Sequence, residues 1–340
     1  MGTHVESLAD VRALIEELHR SREAASSSPT GTSTSVATMN LIVFVDDPVA
    51  RERVLERAAG LADKHPARTI LLDATGKMHG ANVATSTRDN AGTTVITERI
   101  DVDVRGQDPP IILNAVGELT VRDVSTVLWW SGARLLESRT FSGLAELAST
   151  VIVDSSGRAR DAETIRELGE FFAKYPRIAL HDLAFMRLAP WMDMIAQFFD
   201  DPALHDDLFN ITEFAIASGS DAEAYYLAGW LASRLSWEPA GRDRFRARGR
   251  TIRFSKIAKG DARRVQSVTL STGDSQYAAE LCADDPTIVC LCVTGAKAKP
   301  TWSVPLLNVD NLSLMERAIL SSGKDRIFET SLLTVREVLA

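Results

Sequence analysis

Cysteine is scarce in this chain: there are three among 340 residues, Cys282, Cys290 and Cys292. An odd, clustered few cannot form the even framework of a small secreted protein, so a reducing compartment is expected. Long apolar runs are missing as well. The longest, such as Leu41–Val45 and Ile288–Val293, fall far short of the roughly 18 residues a membrane helix needs, so no membrane is expected as a partner. Positive charge is in deficit, with Lys+Arg 38 against Asp+Glu 46 and a formal net charge of -8. A chain of that balance lacks the field that draws proteins to phosphate backbones, so nucleic acid is not expected either. The first ten residues carry acids where a secretory leader has a basic start and an apolar segment, and Glu6 stands where a myristoylation signal has Ser or Thr. The expected location is cytoplasmic.

The signatures of catalysis are absent too. A dinucleotide site needs glycines where the first strand turns into its helix, because the backbone must approach a pyrophosphate there. This turn reads Val45-Asp46-Asp47-Pro48-Val49-Ala50, with two carboxylates and no glycine. Gly76-Lys77 resembles the end of a phosphate-binding loop, but Leu71 and Met78 occupy the positions of its first glycine and its hydroxyl. There is no Gly-x-Ser-x-Gly elbow and no His-Glu-x-x-His pair. The six histidines, His4, His19, His65, His79, His181 and His205, include no pair at helical metal-ligand spacing. Neither a cofactor nor a metal is expected.

What is present is an ordinary globular composition, 45% hydrophobic and 25% charged, long enough for about two domains. Val5, Leu8, Ile15 and Leu18 share one helical face, so residues 1–22 are expected to hold an amino-terminal helix. Residues 23–38, rich in Ser, Thr and Ala, are expected to be a flexible linker. From Met39 a strand leads into Asp46-Asp47-Pro48, which predicts a capped helix reaching Lys64, and Thr69–Leu72 is the next strand. A loop is expected over Gly76–Gly92. Strands at Thr93–Val104, Val127–Trp130 and Val151–Asp154 then alternate with helices at Ile111–Leu119, Phe141–Ala148 and Asp161–Lys174. That alternation predicts an α/β fold, a Rossmann-like doubly wound domain over 39–180 without a nucleotide-binding glycine loop. Residues 181–340 read as an α+β carboxy-terminal domain, with a strand near Ile211–Ala217, a helix over Asp221–Trp237, strands between Arg250 and Val293, and terminal helices after Asn311.

Several features stand out. Residues 242–264 hold ten basic side chains and two acidic ones, a local charge of +8 that leaves -16 for the remainder of the chain. Arg242, Arg244, Arg246, Arg248 and Arg250 alternate, so in an extended strand they project from one side, either toward an anion or acidic protein surface or as a solvated guard. In the apolar stretch after His181, Arg187 and Trp191 lie four apart and can share a helix face, although Pro190 interrupts it; this is either core or partner groove. Trp129 and Trp130 end a strand and must point to opposite faces, one into the core and the other into the crevice or beneath a helix. Alternation puts Cys290 and Cys292 on one face of a strand. They are either buried inert thiols or, with Cys282, a redox pair.

In order along the chain, His65-Pro66-Ala67-Arg68, Val127-Leu128-Trp129-Trp130-Ser131-Gly132, Val151-Ile152-Val153-Asp154-Ser155, Asp182-Leu183-Ala184-Phe185-Met186-Arg187-Leu188, Trp191 and Leu227–Leu235 resemble the glucose-6-phosphate dehydrogenase assembly protein family, OpcA. The likeness runs from the amino-terminal helix to about Trp237 and weakens beyond Arg242; Phe185 and Met186 stand where the family has Trp and Thr. The resemblance implies a non-catalytic assembly factor and allosteric activator that binds glucose-6-phosphate dehydrogenase and supports the oxidative pentose phosphate pathway. The expected partner contacts are Trp129, Trp130, Arg187, Trp191 and the five arginines 242–250. The competing expectation is a sugar-phosphate-binding enzyme or metabolite sensor, with arginines on the phosphate and Trp130 stacked on the sugar in the α/β crevice. The chain's own oligomeric state is left open.

Overall fold

The nearly continuous apolar run Met39–Val45 is buried along its whole length, as a strand covered on both faces must be. Its one polar member, Asn40, hydrogen-bonds Val121 and Thr126 through its side chain. The computed structural model describes residues 4–5, 11–26, 33–34, 37–90, 93–135, 138–156, 160–259, 264–307, 309–321 and 323–339. It shows an α/β protein built on two mixed sheets. By its internal packing the chain divides into two units, one made of 1–153, 175–180 and 315–322, the other of 154–174, 181–314 and 323–340.

The first sheet takes β1 (His4–Val5), β2 (Ser33–Thr34), β3 (Met39–Val45), β4 (Ala67–Asp73), β5 (Ala81–Asn90), β6 (Thr93–Asp103), β7 (Ser125–Ser131), β8 (Thr150–Val153) and β9 (Ala179–Asp182). Their order is β1-β5-β6-β4-β3-β7-β8-β9, with β2 beside β6. Parallel pairing runs from β6 through β4, β3 and β7 to β8. The order reverses at β3, which has β4 on one side and β7 on the other. Helices α1 (Val11–Ser26), α2 (Arg51–Lys64), α3 (Pro109–Leu119) and α4 (Arg139–Leu147) belong to the same unit.

In the other unit, α5 (Asp161–Lys174) is followed by the short α6 (Leu183–Met186) and by α7 (Ala189–Gln197), separated at Arg187–Leu188 with Pro190 in the first turn of α7. A 3₁₀ turn at His205–Asn210 leads to β10 (Glu213–Ser218) and α8 (Asp221–Leu235). Then come β11 (Glu238–Pro239), β12 (Arg244–Ala247), β13 (Arg250–Ala258), β14 (Val265–Ser271), β15 (Ser275–Cys282), β16 (Asp285–Gly295) and β17 (Lys299–Pro305). They are followed by α9 (Asn311–Leu320), which starts in this unit and from Met315 belongs to the first, and by α10 (Arg326–Leu339). The second sheet has the order β11-β12-β13-β10-β14-β15-β16-β17; β10 and β13 are parallel and the remaining neighbours antiparallel. Phe214, Ile216, Phe254, Leu270, Tyr277, Leu291 and Val293 alternate inward to its buried face, where α8 packs on β10 and β13. The intervening residues form the opposite, open face.

Some expectations need correcting. Gly76–Gly92 is strand over Ala81–Asn90, antiparallel to β6; its Val and Thr residues alternate with small polar ones, and the latter masked a β pattern. The helix expected from Pro48 starts at Arg51, after a turn in which Asp47 accepts the Val49 amide at 2.8 Å. The amino-terminal helix is described from Val11 to Ser26, into the expected linker, while Val5, expected on its face, is in β1 beside β5. Ser33–Thr34 pairs with β6, and 6–10 and the rest of 27–36 lie outside the described residues. Residues 260–263, within the basic segment, also lie outside them. Among the described residues no helix is long and apolar enough to cross a membrane.

Candidate functional site

In an open parallel sheet, ligands bind beyond the carboxyl ends of the strands where the order reverses. Here that place lies between β3 and β7. Phe44, next to last in β3, and Trp130, next to last in β7, sit in register as Cα partners. Their rings stack with centroids 4.0 Å apart and planes 6° from parallel. Phe141 of α4 meets the indole edge-on at 5.1 Å, and the Trp130 Nε1–H donates to the Arg134 carbonyl at 3.0 Å. Just beyond the strand ends, the Asp46 carboxylate accepts the Ala133 backbone N–H at 2.9 and 3.2 Å. A Cβ at Gly132 would come within 2.7 Å of the indole and 2.8 Å of the Phe44 ring. The backbone therefore lies directly on the stacked rings, which only glycine permits. With two carboxylates and no glycine at the turn after β3, and Asp46 turned onto the Ala133 amide, these residues do not fit a dinucleotide.

A second polar cluster, within the other unit, is organised around Arg187 at the end of α6. Its guanidinium donates to Asp154 at 2.7 Å through Nη2 and 3.1 Å through Nη1, to Asn311 at 3.1 Å and to Glu223 at 3.4 Å. Glu223 lies in the first turn of α8 and is buried. Burial pushes its carboxyl up to about 7 although Arg187 opposes the shift. One helical turn on, the buried Tyr226 hydroxyl donates to Asp182 at 2.7 Å. Asp182 also accepts the Ser155 and Ala184 amides at 3.1 and 2.9 Å, capping α6. Burial, and then the charge of Asp154, raise Asp182 above the usual carboxylate range. His181 is lowered by burial, with Asp325 working the other way. These groups satisfy one another and clamp residues 154–155, the 182–187 turn and the start of α8. Among the described residues no group of three or more His, Cys, Asp or Glu side chains could hold a metal ion.

The basic run forms a hairpin. β12 and β13 are joined by Arg248 and Gly249, both at positive φ, 48° and 75°, the backbone of a two-residue primed turn. The alternation therefore holds only for Arg244 and Arg246, which flank the buried Phe245 and face the open side of the sheet. Arg248 lies over the Phe209 ring at 4.5 Å, and Arg250 donates to Asn210 at 3.1 Å. Arg242 is exposed beside Asp243 at 3.9 Å.

The remaining candidates fall into packing positions. Trp129, Trp130 and Trp191 are 3%, 1% and 4% exposed, so none presents a ring to a partner or to a sugar. Arg187 is committed to carboxylates rather than stacked on Trp191. Cys290 and Cys292 share a face of β16, as alternation requires. That face is the half-buried one, because Val289, Leu291 and Val293 take the core side, so the expected burial of the thiols is not found. Against the reducing compartment expected from the cysteine count, Cys282 and Cys290 form a disulfide, and Cys292 is free. The sequence reading missed Asp154, Glu223 and Tyr226. Asp154 appeared only within a family motif, and Glu223 left a signal as an acid within the mostly apolar stretch Ala222–Ala232.

Comparison with known proteins gives two family matches. Residues 58–170 match the amino-terminal domain, and residues 178–332 the carboxy-terminal domain, of the family described as glucose-6-phosphate dehydrogenase subunit, OpcA. A protein of Synechococcus elongatus is 27% identical over 251 residues, 66% of this chain and 55% of that protein. One from Synechocystis sp. is 32% identical over 126 residues, 36% of this chain and 26% of that protein. Both carry the provisional name OxPP cycle protein OpcA. The chain thus spans about half, or less, of the length of these relatives. Among solved structures, the 3-ketoreductase KijD10 of Actinomadura kijaniata, with NADP and TDP-benzene, aligns over 88% of this chain and 95% of its own with a TM-score of 0.51. At 12% identity this is a likeness of fold alone.

Proposed function

The chain belongs to the OpcA family, and on that premise we propose that it is a non-catalytic assembly factor and allosteric activator of glucose-6-phosphate dehydrogenase, acting in the cytoplasm and supporting the oxidative pentose phosphate pathway. Its first unit is then a Rossmann-like domain that has given up its ligand. The observation carrying this reading is the Phe44–Trp130 stack, closed off by Asp46 on the Ala133 amide, at the crevice where a nucleotide-dependent relative needs open space and glycines. Activation requires that the chain bind the high-activity form of the enzyme more tightly than the low-activity form, since only differential affinity shifts such an equilibrium.

The sensor reading has less support. Trp130 has no free face for a sugar, and Arg187 is already paired with Asp154 and Glu223.

The test mixes the chain with the dehydrogenase from the same organism, follows the rate at subsaturating glucose 6-phosphate, and passes the same samples through size-exclusion chromatography. A raised rate with co-elution is expected. No change in rate or elution sinks the proposal, and turnover or tight sugar-phosphate binding by the chain alone would replace it with the sensor reading.

A further inference from the structure

The arginines of the hairpin are not equivalent. Arg248 and Arg250 are held against Phe209 and Asn210, and Arg253 pairs with Glu213 at 2.9 Å. Arg244 and Arg246, both exposed on the open face, have no ion-pair partner among the described residues. Moreover, Arg244 and Arg253 stand directly opposite each other as Cα partners across β12 and β13. Like charges in that relation destabilise a sheet. Glu213 pairs with Arg253, and Glu238 stands opposite Arg246 across β11 and β12 without closing an ion pair, so Arg244 is the arginine of this face left without a facing carboxylate among the described residues. The basic side chains are all arginine from 242 to 253, with no lysine. The guanidinium fork suits planar, bidentate acceptors, and it is less strongly hydrated than an ammonium.

We propose that Arg244 and Arg246, on the open face of β12, form a docking surface for a carboxylate-rich patch on a partner protein. The chain's own charge selects that class: with -16 outside the basic segment, an extended phosphate polymer or an anionic membrane that reaches past the hairpin meets a net negative chain, whereas a compact acidic protein patch engages the arginines locally. Identifying the partner with the dehydrogenase rests on the function proposed above; the carboxylate docking itself does not.

The experiment uses the whole chain and two variants, R244E/R246E and R248Q/R250Q, each checked for an unchanged thermal unfolding profile. Binding is measured, at low and at raised salt, to the dehydrogenase from the same organism, to poly-glutamate, to duplex DNA and to phosphatidylglycerol vesicles. Wild-type chain is expected to bind the enzyme and poly-glutamate in a salt-sensitive manner. R244E/R246E is expected to lose at least about tenfold in both affinities, and R248Q/R250Q clearly less. If the enzyme is not bound but poly-glutamate is, and reversal abolishes this, the activator reading fails while the docking surface stands. If the enzyme is bound equally by R244E/R246E, or poly-glutamate is not bound at all, the docking surface is overturned and the activator reading is judged by the rate assay alone. Tighter binding to DNA or vesicles than to poly-glutamate overturns the partner class, and equal losses in both variants overturn the assignment to Arg244 and Arg246.

Discussion

Trp130 lies flat on Phe44, and Gly132 two residues later passes so close that no side chain fits between its backbone and the rings. Three positions thus depend on one another across two parallel strands. Gly132→Ala forces the indole or the Phe44 ring to move, so it is expected to cost about 1–3 kcal/mol of stability, the usual range for overpacking. Trp130→Ala removes the largest fully buried side chain of the core and is expected to cost about 3–5 kcal/mol. Denaturant unfolding measures both. A neutral Gly132→Ala would show that the crevice has slack, and with it room that the proposed function denies.

Arg187 neutralises carboxylates that burial has already made costly. Arg187→Ala leaves Glu223 and Asp182 without it, and a buried pair broken on one side typically costs about 3–5 kcal/mol. The loss is expected near that range at pH 8 and to be smaller at pH 5, where Glu223 takes up a proton instead. Arg187→Lys keeps the charge but loses the fork that reaches Asp154 through two nitrogens, so it should fall between the two. Equal losses at pH 5 and pH 8 would show that packing, not charge, is what the residue supplies.

Glu223 carries the clearest pH signature. Its folded value of about 7 lies above the ordinary 4.5. Across that window the folded chain holds a proton that the unfolded chain has released. The contribution is fully present below about 4.5, falls as pH rises toward about 7, and is gone above it. Glu223→Gln cannot titrate, so the unfolding free energy of the natural chain minus that of the variant is expected to decline across the window by up to about 3 kcal/mol. Asp182, also raised, adds to the decline in both proteins and cancels in the difference. A flat difference curve would place Glu223 near its ordinary value.

The local signals survived folding where the local pattern was sufficient. Asp161–Lys174 begins with acids, ends in a lysine and keeps one apolar face, and it is a helix over that span. Met39–Val45 is buried on both faces because a run that is apolar but for the hydrogen-bonded Asn40 has no polar face to expose. The relationships that matter most were not legible, because they join distant positions. Trp130 meets Phe44 only once β7 is known to lie beside β3, and Arg187 finds Asp154 and Glu223 33 and 36 residues away. The arginine alternation was legible as composition but misleading as geometry, because Arg248 and Gly249 turn the chain and divide the five side chains into a latched pair, an exposed pair and Arg242.

Cys282 and Cys290 are joined near the turn between β15 and β16, with Cys292 left free on the same face as Cys290. Alkylation under native, non-reducing conditions is therefore expected to label Cys292 alone, and all three cysteines after reduction and unfolding. The bond closes a loop of sequence separation 8, for which the chain-entropy argument gives about 2–3 kcal/mol as an upper value. The hairpin is already paired without the bond, so the fold should persist on reduction with a lowered unfolding midpoint. If the bond also governs partner affinity, oxidised and reduced protein will differ in how far they raise the dehydrogenase rate. Cys282→Ser/Cys290→Ser would then match the reduced form under both conditions. Equal activation by all of these would remove thiol control and leave the disulfide a purely structural tie in the hairpin.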